Sequence, residues 1–181
     1  MELTYGRYLK VEELLQLQQP LSEGPEHDEM LFIIIHQVYE LWFKQILHEL
    51  EKLKSSFQEG ERGKALHTLK RIRSILKVLV SQVDVLETMT PLEFLSFRER
   101  LQSASGFQSC QFRELEFTLG LKNPKHLEHY PQGSEERNRL EKKMEEPSLW
   151  EVFLQFLSSL GHDSPKLKKG GRSIEPPDSS E

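Results

Sequence analysis

The 181-residue chain contains one cysteine, Cys110, so no disulfide framework can form within it, and a reducing compartment suits it. It has no surplus of positive charge: Lys and Arg number 24 against 29 Asp and Glu, a formal net charge of −5. That argues against a nucleic-acid partner, which needs a basic footprint. The basic cluster Lys166, Lys168, Lys169 and Arg172 sits in a polar C-terminal stretch and reads as a solvated tail. Long apolar runs are missing as well. Met30–Ile35 is far too short to span a bilayer, so no membrane role is expected. The opening "MELTYGRYLK" lacks the apolar core of a signal peptide. These absences together lead to the expectation of a soluble, cytoplasmic protein. Strand-type alternation, internal repeats, a glycine-rich phosphate loop and the G-x-S-x-G spacing of a nucleophile elbow are absent too.

What remains is helical, and the predicted fold class is all-α: a bundle built around one long buried helix. The stretch "HDEMLFIIIHQVYELWFKQILHEL" (27–50) is apolar on nearly every face, so it should be covered on several sides. Asp28 is the expected cap, with the helix running to about Phe57. A second helix is predicted from about Lys64 to Thr88. There Leu69, Ile72, Leu76, Leu79, Val83 and Leu86 alternate spacings of three and four and read as a core stripe against an antiparallel partner. In "TPLEF", Thr90, Pro91 and Glu93 form a helix-start signature, and Ser148 with Glu151 forms another. A helix from about Phe107 should stop at Gly120, "NPKHLEHYPQGS" should be a loop, and Ser134 should open a charged helix to about Glu146. The expected division is a helical domain over residues 1–161 and a disordered tail over 162–181.

Several residues invite a functional reading. Phe32, His36, Tyr39 and Phe43 recur at four, three and four, and so share one helix face. His36 either lines an apolar pocket or is a core histidine bonded to a backbone carbonyl or a glutamate. Glu40 and Lys44 read as an ordinary i,i+4 pair. Arg98, in "FRERL" beside the small-residue loop "SASG", is either a carboxylate-binding fork or a surface ion-pair partner. Tyr5 and Tyr8 in "YGRYL" either pack on their own domain or reach across an interface. His27, Asp28 and Glu29 cannot all face one ion from one turn, and His126 with His129 lacks a matching pair, so no metal site is read from them.

The segments "YGRYL", "HDEMLFIIIHQVYELWFKQILHEL" and "LETMTPLEFLSFRERLQSASGFQSCQFRELE", with their spacing, resemble the tryptophan 2,3-dioxygenase family. The resemblance is dense from Tyr5 to about Leu119 and looser through "FLSSLGH". It implies an all-α haem enzyme, a homo-oligomer (dimer or tetramer) joined through the N-terminal segment and the long helix. That enzyme would use haem b and O₂ to open the indole ring of L-tryptophan, giving N-formyl-L-kynurenine. By the same resemblance, His36 would take the indole N–H and Phe32 would line the indole pocket. Arg98 would bind the substrate carboxylate, with Leu101 and Phe94 near it. Phe94, Ser105 and Gly106 would line the haem pocket, the last two in a loop that also borders the substrate, and Tyr5 and Tyr8 would come from a neighbouring subunit. Phe112 stands where some members carry Tyr. The family's iron-binding histidine lies in a C-terminal half. None of His27, His36, His48, His67, His126, His129 or His162 has its sequence context. The chain therefore reads as the distal half of such an enzyme. It is a shortened product, one half of a split enzyme, or a non-catalytic helical interaction module.

Overall fold

The computed structural model describes residues 3–24, 26–102 and 104–162, with the side chain of residue 107 left aside. The tail expected from 162 onward lies, apart from His162 itself, outside the described residues. Every regular element among the described residues is helical, as the all-α reading expects. The α-helices are α1 (Tyr5–Leu9), α2 (Val11–Leu14), α3 (His27–Gln58), α4 (Arg62–Leu86), α5 (Pro91–Arg98), α6 (Cys110–Leu119), α7 (Glu135–Glu145) and α8 (Leu149–Ser159).

The spine is α3, 32 residues and about 48 Å long at ~1.5 Å per residue. It folds back through Gly60 (φ +73°) into antiparallel α4, while α5, α6 and α8 pack along it. Its C-terminal half is deeply covered. Ile46, Leu50, Leu53 and Phe57 meet Ala65, Ile72, Ile75 and Leu79 of α4, Leu115 of α6, and Val152 and Phe156 of α8. Burial of such side chains contributes about 1.5–3 kcal/mol each, which is what holds four helices to one axis. A second, smaller core joins Cys110 and Phe117 of α6 to Tyr130 and to Leu140 of α7.

Both expected capping boxes form. Thr90 Oγ1 accepts from Glu93 N while Glu93 Oε2 accepts from Thr90 N, and Ser148 with Glu151 repeats the arrangement. Gly120 ends α6 at φ +111°, a conformation a side chain would strain.

Four expectations need correction. Asp28 does not cap α3; the helix starts at His27 with Asp28 in its first turn, where an acidic side chain still favours the helix dipole. On α4 the buried face is Ala65, Thr68, Ile72, Ile75 and Leu79, whereas Leu69, Leu76 and Val83 remain about two-fifths exposed. Two overlapping 3–4 stripes run along this helix, and the one with the smaller side chains lies against α3, where close approach favours it. The helix after the "SASG" loop begins at Cys110 rather than Phe107, because Ser109 caps it by accepting from Phe112 N at 3.1 Å. Finally, Pro124–His129 winds into a 3-10 helix, with Asn123 Oδ1 accepting from Lys125 N.

Candidate functional site

Where the C-terminal half of α3 is deeply covered, its N-terminal half is covered only in part: Glu29 and Ile35 are buried, Met30, Ile34 and Leu41 are exposed, and His36, Tyr39 and Phe43 are half-covered. That half borders a cavity of about 340 Å³ lined by Ile35, His36, Tyr39, Phe43, Leu86 and Phe112. Glu40, Gly106 and Ser109 complete its wall. Three of the four residues predicted to share a face thus border one space. The fourth, Phe32, packs its ring against that of His36 at 4.1 Å between centroids, the planes tilted by 40°.

The His36 ring has a defined orientation. Its Nδ1 donates to the Phe32 carbonyl at 2.7 Å. A carbonyl can only accept, so Nδ1 carries the proton, and in the neutral ring Nε2 is left as the acceptor. Nε2 faces Gly106: a Cβ built on that glycine would stand 3.7 Å from it. The glycine therefore lets the loop come close without placing a methyl over the lone pair. Of the two sequence readings of His36, one describes Nδ1 and the other Nε2.

The walls are set by neighbouring helices. Phe94 and Phe97 of α5 pack on Phe32 at 5.8 and 5.6 Å, with Phe97 fully buried, so α5 is fixed against the His36 turn. Arg98 follows directly, and its Nη1 donates to the Gln102 carbonyl at 3.1 Å rather than to a carboxylate. Leu101 is half-buried in the 3-10 turn that continues α5. On the opposite side Phe112 packs against Phe43 at 5.5 Å with the rings tilted, and the Arg113 guanidinium lies over the Phe112 ring. Tyr39 donates its hydroxyl to the Leu79 carbonyl at 2.7 Å, which turns its ring toward the cavity. Glu40 does not behave as the i,i+4 partner of Lys44; its Oε2 accepts from Gln111 Nε2 at 2.7 Å and ties α6 to α3.

Ser105, in the loop before α6, is exposed, and its amide donates to Gln108 Oε1. Tyr5 and Tyr8 are 78% and 72% exposed on α1. The root of that arm is nonetheless fixed. Gln37 Nε2 donates to the Leu17 carbonyl, and Glu29 accepts from the Leu21 and Ser22 amides at 2.7 and 3.0 Å. Among the described residues no three His, Cys, Asp or Glu side chains are placed to hold a metal ion, and no helix is long and apolar enough to cross a membrane.

Sequence reasoning missed Ile35, Leu86 and Ser109 as cavity residues. Leu86 continues the α4 stripe and so reads as core. Its place as the last residue of the helix, past the α3 contact, was the available signal.

An all-α protein whose one long helix aims a tautomer-fixed imidazole into an aromatic cavity, beside an arginine-bearing helix, has the makings of a binding site for an apolar ring with one hydrogen-bond donor. The sequence comparisons give the family. The chain matches the tryptophan 2,3-dioxygenase family over residues 1–173 and belongs to it. It is 56% identical over 168 residues to a tryptophan 2,3-dioxygenase of Herpetosiphon aurantiacus, covering 93% of this chain and 64% of that protein. Similar proteins of the same name occur in Anaeromyxobacter sp. strain K (54% identity, 91% and 62% covered) and Xanthomonas oryzae pv. oryzae (47%, 91% and 55%). The chain thus spans about three-fifths of the length of these relatives.

Proposed function

We propose that the chain forms the distal half of a tryptophan 2,3-dioxygenase site, which opens the indole ring of L-tryptophan to N-formyl-L-kynurenine with haem b and O₂. Family membership supports the reaction class. The observation that carries the site assignment is the His36 tautomer: Nδ1 is committed to the Phe32 carbonyl, so Nε2 is an acceptor facing an apolar cavity. Indole offers one N–H on an apolar ring, which matches one acceptor among aromatic walls.

Each residue then has a task. His36 takes the indole N–H, and Phe32 holds the imidazole plane. Arg98 exchanges its bond to the Gln102 carbonyl for the substrate carboxylate, whose planar oxygens suit a guanidinium. Leu101 closes the space beside it, and Phe94 braces the α5 turn. The apolar cavity wall suits one face of a flat macrocycle, so Ile35, Tyr39, Phe43, Leu86 and Phe112 would hold haem b together with Ser105 and Gly106. When bound, haem supplies the oxygen chemistry, and the protein supplies orientation and exclusion of water. Tyr5 and Tyr8, exposed on an arm rooted at Gln37 and Glu29, fit contact with a second copy of the chain. A cytoplasmic location accords with the single cysteine.

A second reading, a non-catalytic helical interaction module, is favoured by the apolar edge of α4, where Leu66, Leu76 and Val80 are exposed. One experiment separates the two. The chain is titrated with haem and assayed for N-formylkynurenine from L-tryptophan, alone and mixed with the part of the Herpetosiphon relative that this chain does not match. Product in either mixture supports the distal-half reading. A Soret band that never shifts and no product in both mixtures favours the interaction module.

A further inference from the structure

The loop that reaches His36 is tied to the second core as well as, through Gln111 and Glu40 just beyond it, to α3. Residues 104–106 are exposed and bonded mainly among themselves. Gln108 N donates to the Ser105 carbonyl at 2.9 Å, Ser109 N to the Gly106 carbonyl at 3.3 Å, and Ser105 N to Gln108 Oε1 at 3.2 Å. Local bonds of this kind fix the shape of a loop. They do not fix where it stands relative to a side chain about 70 positions away.

A tertiary tie comes from Tyr130, whose hydroxyl donates to the Gln108 carbonyl at 3.2 Å. Tyr130 is itself well held. Its ring is buried with Cys110, Phe117 and Leu140, its amide donates to the Leu127 carbonyl at 3.1 Å, and its carbonyl accepts from Arg137 Nη1 at 3.3 Å. Burial also pushes the phenol pKa up, so the hydroxyl stays a donor through the neutral range. At the other end of the loop, Gly106 lies against His36 Nε2.

We propose that Tyr130 is a positioning residue for His36: its hydroxyl, through the Gln108 carbonyl, sets the 104–109 loop so that Gly106 borders Nε2 without covering it. This rests on His36 Nε2 being the substrate-facing acceptor, and it gives the second core a part in that site. The Tyr130 ring packs with Leu140 and Phe117 while its hydroxyl alone reaches the Gln108 carbonyl, so the ring's packing and the hydroxyl's positioning effect are separable.

The test uses the ¹⁵N-labelled chain as parent, Tyr130→Phe and Leu140→Val. Tyr130→Phe removes only the hydroxyl; Leu140→Val loosens the same core and leaves the hydroxyl in place. Amide exchange at Gln108 and Ser109 should quicken about tenfold in Tyr130→Phe, the effect of losing one hydrogen bond. The His36 imidazole nitrogen signals should move, and the melting temperature should change little. Leu140→Val should melt lower and leave the His36 signals in place. Unmoved His36 signals in Tyr130→Phe, or an equal displacement in Leu140→Val, would overturn the proposal. Should Tyr130→Phe not fold, the parent decides: nuclear Overhauser contacts are expected from the Tyr130 ring edge to the Ser109 amide and from Gly106 to the His36 ring, and their absence overturns it. None of these signals needs bound ligand. L-tryptophan failing to bind the parent would therefore count against the substrate reading alone.

Discussion

The imidazole of His36 donates Nδ1–H to the carbonyl of Phe32, one turn earlier on the same helix, at 2.7 Å, with the two rings in tilted contact at 4.1 Å between centroids. The acceptor belongs to the backbone of α3, so the ring inherits the direction of the helix and cannot swap its nitrogens without losing that bond. An imidazole whose Nδ1–H is committed in this way offers Nε2 to an N–H and has no bond to give a methylated ring nitrogen. The parent is expected to prefer L-tryptophan over 1-methyl-L-tryptophan by about ten- to a hundredfold in Kd, and His36→Ala should erase the preference. Calorimetric titration of both ligands checks it, and a preference that survives in His36→Ala would remove His36 from recognition.

Gly106 offers a finer probe of the same nitrogen. A methyl at this position would stand 3.7 Å from Nε2 and 3.8 Å from Cδ2, ordinary contact distances. Gly106→Ala should therefore fold with a melting temperature near that of the parent. Its methyl would nonetheless occupy the approach to the lone pair, so L-tryptophan affinity should fall about tenfold or more while 1-methyl-L-tryptophan changes less. Equal losses for the two ligands would mean that the loop, and not the nitrogen, is what the methyl disturbs.

The helices were legible in the sequence wherever local chemistry decides them. The capping boxes at Thr90 and Ser148, the stop at Gly120 and the long apolar run of α3 need no tertiary information. The buried face of α4 was not legible. Its two apolar stripes have the same period, and the choice between them is made by how closely α3 can approach Ala65 and Thr68. The site was half legible. The spacing of His36, Tyr39 and Phe43 states that they share a face, but whether that face is core or cavity depends on the helices laid beside it. The bond from Tyr130 to Gln108 joins residues 22 apart through a backbone carbonyl, which leaves no mark in the side-chain pattern.

In the proposed site, Arg98 is assigned the carboxylate end of the ligand. Its guanidinium donates to the Gln102 carbonyl and is half-exposed, so substrate would replace a neutral acceptor with a charged one. A hydrogen bond to a charged group is worth about 1.5–3 kcal/mol, and Arg98→Ala should weaken L-tryptophan binding about ten- to a hundredfold. Tryptamine lacks the carboxylate and should bind the parent and Arg98→Ala alike. Arg98→Lys should recover part of the loss, because a point charge replaces a planar fork. A loss of tryptamine binding matching that of L-tryptophan would show that Arg98 supports α5 and does not hold the carboxylate.

Glu29 governs the root of the N-terminal arm and gives the fold an acid-sensitive joint. Its side chain is 1% exposed and accepts from the Leu21 and Ser22 amides. Burial alone would raise its pKa, but the polar groups of Ser22 and Leu21, with Arg100 nearby, outweigh this and hold it below the ordinary value of 4.5. A carboxyl whose folded pKa is depressed stabilises the fold above its unfolded pKa. That stability is lost as pH falls through the folded value. Glu29→Gln keeps the shape and replaces the charge-assisted acceptor with an amide, so at pH 7 it should cost about 1–3 kcal/mol in urea unfolding. The gap between parent and variant should narrow as the pH is lowered below 4.5, because the parent's carboxyl then takes up its own proton. Truncating at Glu29→Ala should free the 17–22 segment and raise amide exchange at Leu21 and Ser22 while leaving the His36 ring signals in place, since α3 keeps its packing from Ile35 onward. A gap between parent and Glu29→Gln that stays constant from pH 7 to pH 3 would show that the carboxylate's charge contributes nothing to holding the arm.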